Sequence, residues 1–139
     1  MKDNQTLAQF YTNYQKIKSV YNPFFEEDIV FDVHGYKHLT NQGDGKARTL
    51  ATIQERFGVF EYVPELLTKK ISPKEYQLRK KTTKKGMLII DYYTFVFSVV
   101  LAEDEFRLKV VIRQKLGEPK KFFSCFRLVH TKFSKTKTP

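Results

Sequence analysis

The 139-residue sequence predicts an α+β domain, with N-terminal helices packed on a roughly four-stranded antiparallel β-sheet. Three observations predict it. Apolar and aromatic residues recur at helical spacing through the first half. From Ser72 the period changes to that of strands. Turn-forming clusters then separate the apolar runs in the manner of a meander. Helices first and strands afterwards is the order of an α+β domain. The length suits one domain over 1–139, with no internal repeat and no linker.

The elements follow in order. Leu7, Phe10, Tyr11, Tyr14 and Ile17 lie at helical spacing and predict an amphipathic helix over 5–21, ended by Asn22-Pro23. DIVFDV, Asp28 to Val33, reads as a strand, and GYKHL follows it. Asn41 to Lys46 (NQGDGK) has turn chemistry. A second helix is predicted from about Ala47 to Phe57, its apolar face carrying Leu50, Ile53, Phe57 and Phe60. Arg48, Thr52 and Arg56 lie on another side of it, about one turn apart. Pro64 opens a short third helix, PELLTKK.

EYQLRKKT is a strand with Tyr76 and Leu78 on one face. KKTTKKG closes it with a turn. Met87 to Leu101 (MLIIDYYTFVFSVVL) is too long and apolar for an edge, and reads as a long, bent central strand. AEDE turns the chain into FRLKVVIRQKL. There Leu108, Val110 and Ile112 alternate with Lys109, Val111, Arg113 and Lys115, so one face packs on the core and the other presents cations. GEPKK leads to the last strand, FFSCFRLV. The tail from about 130 to 139 is polar, basic and expected to fray.

Charge divides the chain. Residues 1–68 carry 7 Lys/Arg against 9 Asp/Glu, and residues 69–139 carry 18 against 6, so the net of +10 belongs to the second half. Such an asymmetry implies a polyanion partner, most commonly nucleic acid. The expected contacts are Arg79, Lys80, Lys81, Lys84, Lys85, Lys109, Lys115, Lys120 and Lys121, with Lys37 from the first half. An acidic protein or a membrane surface would also suit a basic face. No apolar run reaches the ~20 residues of a membrane span, and the start MKDNQTLAQF lacks a secretory core. A cytoplasmic location is expected, or delivery into a target cell as part of an exported toxin. The single Cys125 excludes an internal disulfide and a cysteine-rich metal site.

Walker, Rossmann, zinc and Gly-x-Ser-x-Gly patterns are all missing. The carboxylate pairs Asp28/Asp32 and Asp104/Glu105 read as strand-end and turn residues, so no metal or cofactor is expected. What remains is His38, Lys37, Arg48, Arg56, Arg113, Lys121 and Ser124. RNA brings its own nucleophile, the 2′-hydroxyl. Its cleavage needs a proton acceptor and donor, a role suited to histidine. It also needs cations aimed at the charge developing on phosphorus, and a hydroxyl such as Ser124 could donate to a phosphate oxygen. Equally, a lone histidine after a strand is often a surface residue, arginines often solvate a helix, and Ser124 could serve the backbone. His34, beside a glycine, and His130, in the tail, are weaker candidates.

GYKHLT with Arg48 and Arg56 downstream, followed by KVVIRQKLGEPKKFFSCF, resembles the barnase/EndoU/colicin/RelE-like (BECR) nuclease superfamily. The likeness is to its phage, mobile-element and polymorphic-toxin forms, and it covers residues 28 to 128. It implies N-terminal helices on a four-stranded antiparallel sheet. His38 matches the family histidine, Arg48 or Arg56 the helix-borne cation, Arg113 the strand arginine and Ser124 the terminal-strand hydroxyl. Phe123-Ser124-Cys125-Phe126 departs from the family's aromatic-Ser-Val ending. The resemblance implies a small metal-independent endoribonuclease acting on RNA rather than DNA, with an acidic antitoxin or immunity protein as a possible partner. The alternatives are a non-catalytic nucleic-acid-binding protein on the same fold and a basic module that docks an acidic protein.

Overall fold

The computed structural model describes residues 7–41, 46–102 and 104–128. The chain is α+β, as expected, but its sheet has six strands and is mixed. Three helices, α1 (Leu7–Gln15), α2 (Val33–Thr40) and α3 (Leu50–Phe60), and one helical turn, α4 (Val63–Leu66), accompany the strands. The strands are β1 (Ser19–Asn22), β2 (Glu27–Val30), β3 (Glu75–Thr83), β4 (Gly86–Leu101), β5 (Asp104–Lys115) and β6 (Lys121–Leu128), in the order β1-β2-β6-β5-β4-β3. The four predicted C-terminal strands form the antiparallel meander β3–β6. The two further strands come from the N-terminal half.

The first helix is shorter than the predicted 5–21. Phe10 and Tyr14 are buried, but the helix stops at Gln15. Ser19-Val20-Tyr21 then leaves the helical path and pairs with Glu27–Val30 as a hairpin. Asn22 makes that turn. It is fully buried; its Oδ1 accepts from the Phe25 amide at 2.9 Å and its Nδ2 donates to the Leu67 carbonyl at 2.8 Å. One side chain thus satisfies the turn and fastens it to the end of α4. The predicted strand over 28–33 is Glu27–Val30 only, because Asp32 caps a helix. Its Oδ1 accepts from the amides of His34 (3.1 Å) and Gly35 (3.4 Å), two of the donors a helix start leaves open. VHGYKHLT is therefore α2, so His38 sits on a helix rather than after a strand.

The next helix begins at Leu50, not Ala47. Thr49 caps it, Oγ1 accepting from the Thr52 amide at 3.2 Å. Ile53, Phe57 and Phe60 are buried as predicted, while Leu50 is exposed. Residues 42–45 of the NQGDGK turn, Glu103 of the AEDE turn and the tail from residue 129 lie outside the described residues.

The core sits between the helices and one sheet face. Phe95, Phe97, Phe106, Leu108, Val110, Ile112 and Phe122 meet Phe10, Tyr14, Phe31, Phe57 and Phe60 there. Phe10 stacks on Phe57 at 4.4 Å and Phe31 on Phe122 at 5.2 Å. Each such ring contributes about 2–3 kcal/mol of burial. The Tyr14 hydroxyl donates to the Asp32 carbonyl at 2.6 Å. Burial, and then the Asp32 carboxylate, hold that phenol in its protonated form.

Two features place the site. β6 lies between β2 and β5, yet it meets β2 only at Val30↔Lys121, in parallel, and α2 and α3 pack along it instead. Within β6, Ser124 pairs with Val111 and Phe122 with Ile112, so Phe123 is an extra residue, a β-bulge. A bulge locally re-aims a side chain. Phe122 stays in the core and Phe123 turns to the open face.

Candidate anion site on the open sheet face

The open face is the side of the sheet away from the core. Strand alternation puts Gln77, Arg79, Tyr92, Thr94, Lys109, Val111 and Arg113 there. The ring of Phe123 rises at the β6 bulge.

α2 brings His38 to this ring. The two ring centroids are 4.2 Å apart at an interplanar angle of 36°. The approach depends on Gly35. A Cβ at Gly35 would stand 2.5 Å from Tyr14 Oη and 2.8 Å from the Phe122 carbonyl oxygen, so only glycine lets α2 lie this close to β6. Arg48 then reaches back to α2. Its Nε and Nη2 donate to the His38 carbonyl at 3.2 and 3.1 Å, satisfying a carbonyl the helix end leaves open. Arg48 was predicted on the second helix. It lies instead on the approach to that helix, where the Asn41↔Ala47 bridge and the bond from its own amide to the Thr40 carbonyl hold it.

Arg56, on α3, donates through Nη1 to Ser124 Oγ at 3.3 Å and to the Cys125 carbonyl at 3.2 Å. It also lies 5.4 Å from the Phe126 ring centroid, and Lys109 Nζ is 5.4 Å from the same ring. Arg113 sits 4.6 Å from the Phe123 centroid. Aromatic rings therefore space the cations: Phe123 contacts both His38 and Arg113, and Phe126 contacts both Arg56 and Lys109. Attraction to ring faces holds each cation without neutralising it. Among the described residues, none of Arg48, Arg56, Lys109 and Arg113 has a carboxylate in ion-pair contact.

His38 registers this field. Burial, and then the charges of Arg48, Arg56 and Arg113, lower its pKa from 6.5 to about 4. The imidazole is therefore neutral at physiological pH. Its Nδ1 is buried and has no hydrogen-bond partner. A bound anion would reverse the charge contribution and supply an acceptor or donor nearby.

The predicted residues divide accordingly. His38, Arg48, Arg56 and Arg113 come together. Ser124 does too: it is buried, and its hydroxyl oxygen accepts from Arg56 and so helps position that arginine. Lys109, Lys115 and Arg79 lie on the open face as expected. Lys120 does not belong there. It is buried, 2.7 Å from Glu27 Oε2, over the rings of Phe25 (4.6 Å) and Tyr93 (5.6 Å). Glu27 lies far away in sequence, on β2, which is why a charge count missed the pairing. Lys121 is paired with Asp32 at 3.2 Å and Glu118 at 3.5 Å, the Asp32 bond raising its pKa. Lys80 alternates with Arg79 and Lys81 and so faces the other side of β3. Lys84 and Lys85 form the turn at the tip of the β3–β4 hairpin, beyond the last β4–β5 pair at Ile90↔Lys115. Lys37 is exposed on α2, about 100° round the helix from His38.

His34, a weaker candidate by sequence, lies on the same face of α2 as His38, one turn away. It lines a recess of about 180 Å³ with the cations Arg113, Lys115 and Lys121 and the carboxylates Asp32 and Glu118. The i, i+4 spacing of the two histidines was readable once Asp32 was taken as a helix cap. The spacer rings Phe123 and Phe126 carried no such signal.

Among the described residues no group of three or more His, Cys, Asp or Glu side chains is arranged to hold a metal ion. No helix among them is long and apolar enough to cross a membrane. Comparison with protein-family models, with curated proteins and with solved structures finds no match for this chain.

Proposed function

We propose that the protein is a small metal-independent endoribonuclease of BECR type, as in toxin or phage and mobile-element nucleases, with its phosphate site at His38, Arg48, Arg56 and Arg113. One observation carries this reading: cations held by rings and carbonyls, without carboxylate partners, gather around a histidine that burial and their charge keep neutral. Such a cluster is self-repelling until an anion enters, and a phosphodiester supplies that anion at the position where charge develops during cleavage.

The chemistry follows from the groups present. RNA lies across the open sheet face, its backbone met by Arg79, Lys109, Arg113 and Lys115. The scissile phosphate enters the arginine cluster and offsets the charges that depress His38. The His38 pKa then rises toward the range useful for a general base. His38 takes the proton of the 2′-hydroxyl, and that oxygen attacks phosphorus. The arginines stabilise the crowded phosphorane. The P–O5′ bond breaks, and the leaving oxygen takes a proton from water, which the protonated His38 restores in turn. The products are a 2′,3′-cyclic phosphate and a 5′-hydroxyl. An acidic antitoxin or immunity protein would bind the same cations.

A second reading is non-catalytic RNA binding. The packing of His38 against Phe123 favours it, since a histidine can serve there as a wall alone. The two are separated with purified protein and RNA in EDTA, beside His38→Ala. Cleavage in EDTA that the substitution abolishes supports the nuclease. Salt-sensitive binding without turnover supports the second reading. Cleavage that requires added metal, or that survives His38→Ala intact, refutes the mechanism.

A further inference from the structure

Beside the arginine cluster, the open face carries a groove of about 420 Å³. This is within the size range of small-molecule sites, about 300–1,000 Å³. The rings of Tyr92, Phe123 and Phe126 line it with Val111, and Glu75 and Gln77 of β3 form one side. Arg79 lies over Tyr92, 5.6 Å from its centroid.

Glu75 is out of place on a face that attracts a polyanion. It repels phosphate, and among the described residues no cation makes an ion pair with it. A carboxylate is useful there only toward hydrogen-bond donors. Gln77, two residues along and on the same face, has its amide engaged by Arg79. Its Oε1 accepts from Arg79 Nε at 3.3 Å and Nη2 at 3.0 Å, which leaves its NH₂ as a donor to the groove. The groove thus offers apolar rings, the Lys109 ammonium toward the backbone phosphate, an anionic acceptor and, about 7 Å along the strand, an amide donor.

We infer that this groove holds one unstacked RNA base next to the cleavage point, and that Glu75 and Gln77 read its edge so as to disfavour uracil. The inference rests on the nucleic-acid reading above and adds a substrate class: single-stranded RNA or an unpaired loop. Every base has a π-face, so the rings supply affinity. The edge supplies choice. Guanine presents two adjacent donors to a carboxylate. Adenine and cytosine present an amino donor beside a ring nitrogen that the Gln77 amide can meet. Uracil presents one N–H between two carbonyl oxygens, both of which the Glu75 carboxylate repels. A base within a duplex cannot enter, because its edge is paired and its faces are stacked.

The test is binding of 2′-O-methyl hexanucleotides, which resist self-cleavage, measured by fluorescence anisotropy on the full chain at low salt. Oligo(A) is expected to bind at least fivefold tighter than oligo(U) and than the A·U duplex. Glu75→Gln, an exposed change, should remove most of the A-over-U preference and leave the salt dependence in place. Tyr92→Ala should weaken the single strands about fivefold or more. If duplex and both single strands bind equally, or Glu75→Gln leaves the ranking intact, the base site is wrong while polyanion binding stands. If no oligonucleotide binds, the nucleic-acid reading itself falls, and the groove loses its ligand.

Discussion

Replacing Arg113 with glutamine should raise the pKa of His38, and the size of the effect can be bounded. The imidazole is displaced from 6.5 to about 4, first by burial against Phe123 and then by Arg48, Arg56 and Arg113. Because burial is the largest cause, removing one arginine recovers only part of that gap. His38 in Arg113→Gln should therefore titrate between 4 and 6.5. Inorganic phosphate should also raise it in the native protein. One pKa unit corresponds to about 1.4 kcal/mol. His38 is half-buried, so solvent screening reduces the full electrostatic figure, and the cost of protonating it in the fold is about 2 kcal/mol. The unfolded chain binds this proton more readily than the folded one. Stability from this group is thus complete above pH 6.5 and is lost as pH falls through the folded value near 4. Histidine ring NMR gives the pKa directly. Urea unfolding at pH 7 and pH 4.5, compared between native protein and His38→Gln, isolates the linked stability from the titrating carboxylates. A His38 pKa near 6.5 without ligand, or one that ignores both phosphate and Arg113→Gln, refutes the assigned electrostatics and with them the case for a phosphate site.

Other consequences can be checked separately. Gly35→Ala should destabilise the fold by about 1–3 kcal/mol through overpacking; adding Tyr14→Phe relieves the hydroxyl clash but not that with the Phe122 carbonyl, so thermal unfolding should show only partial rescue. Arg56→Ala leaves the Cys125 carbonyl and Ser124 hydroxyl without their donor and should cost about 1–3 kcal/mol in urea unfolding. Burial pushes the Cys125 thiol up to about 12 and encloses it fully, so a thiol reagent should label it only as fast as the chain unfolds. Lys109→Ala should reduce the salt slope of RNA binding by about one, whereas Lys120→Ala should leave it unchanged.

Much of the sheet could be read from sequence because β4 is a long run of β-branched and aromatic residues and β5 alternates, and burial of Leu108, Val110 and Ile112 follows that alternation. Of the first hairpin, β2 could be read in DIVFDV but β1 could not. Tyr14, Ile17 and Tyr21 keep helical spacing into residues that form β1, and only pairing with β2 overrides it. α2 was hidden by Gly35, a residue that weakens helices in general and is needed here for contact with β6. The cluster of His38, Arg48, Arg56 and Arg113 was proposed from chemistry, but its geometry depends on a bulge that no local pattern announces. The misplacement of Lys120 has the same origin: its partner Glu27 lies at long sequence range.

The position of β6 has a consequence for synthesis. His38, Arg48 and Arg56 belong to the acidic half of the chain and leave the ribosome first. Arg113 follows much later, and Phe123, Ser124 and the Cys125 carbonyl come last, on the strand that α2 and α3 pack against. Until that strand docks, Arg56 has no anchor and His38 has no ring to lie on. A growing chain therefore carries the parts of the cluster without the cluster itself. The translating ribosome, itself mostly RNA, does not meet the assembled cluster until the last described strand is in place.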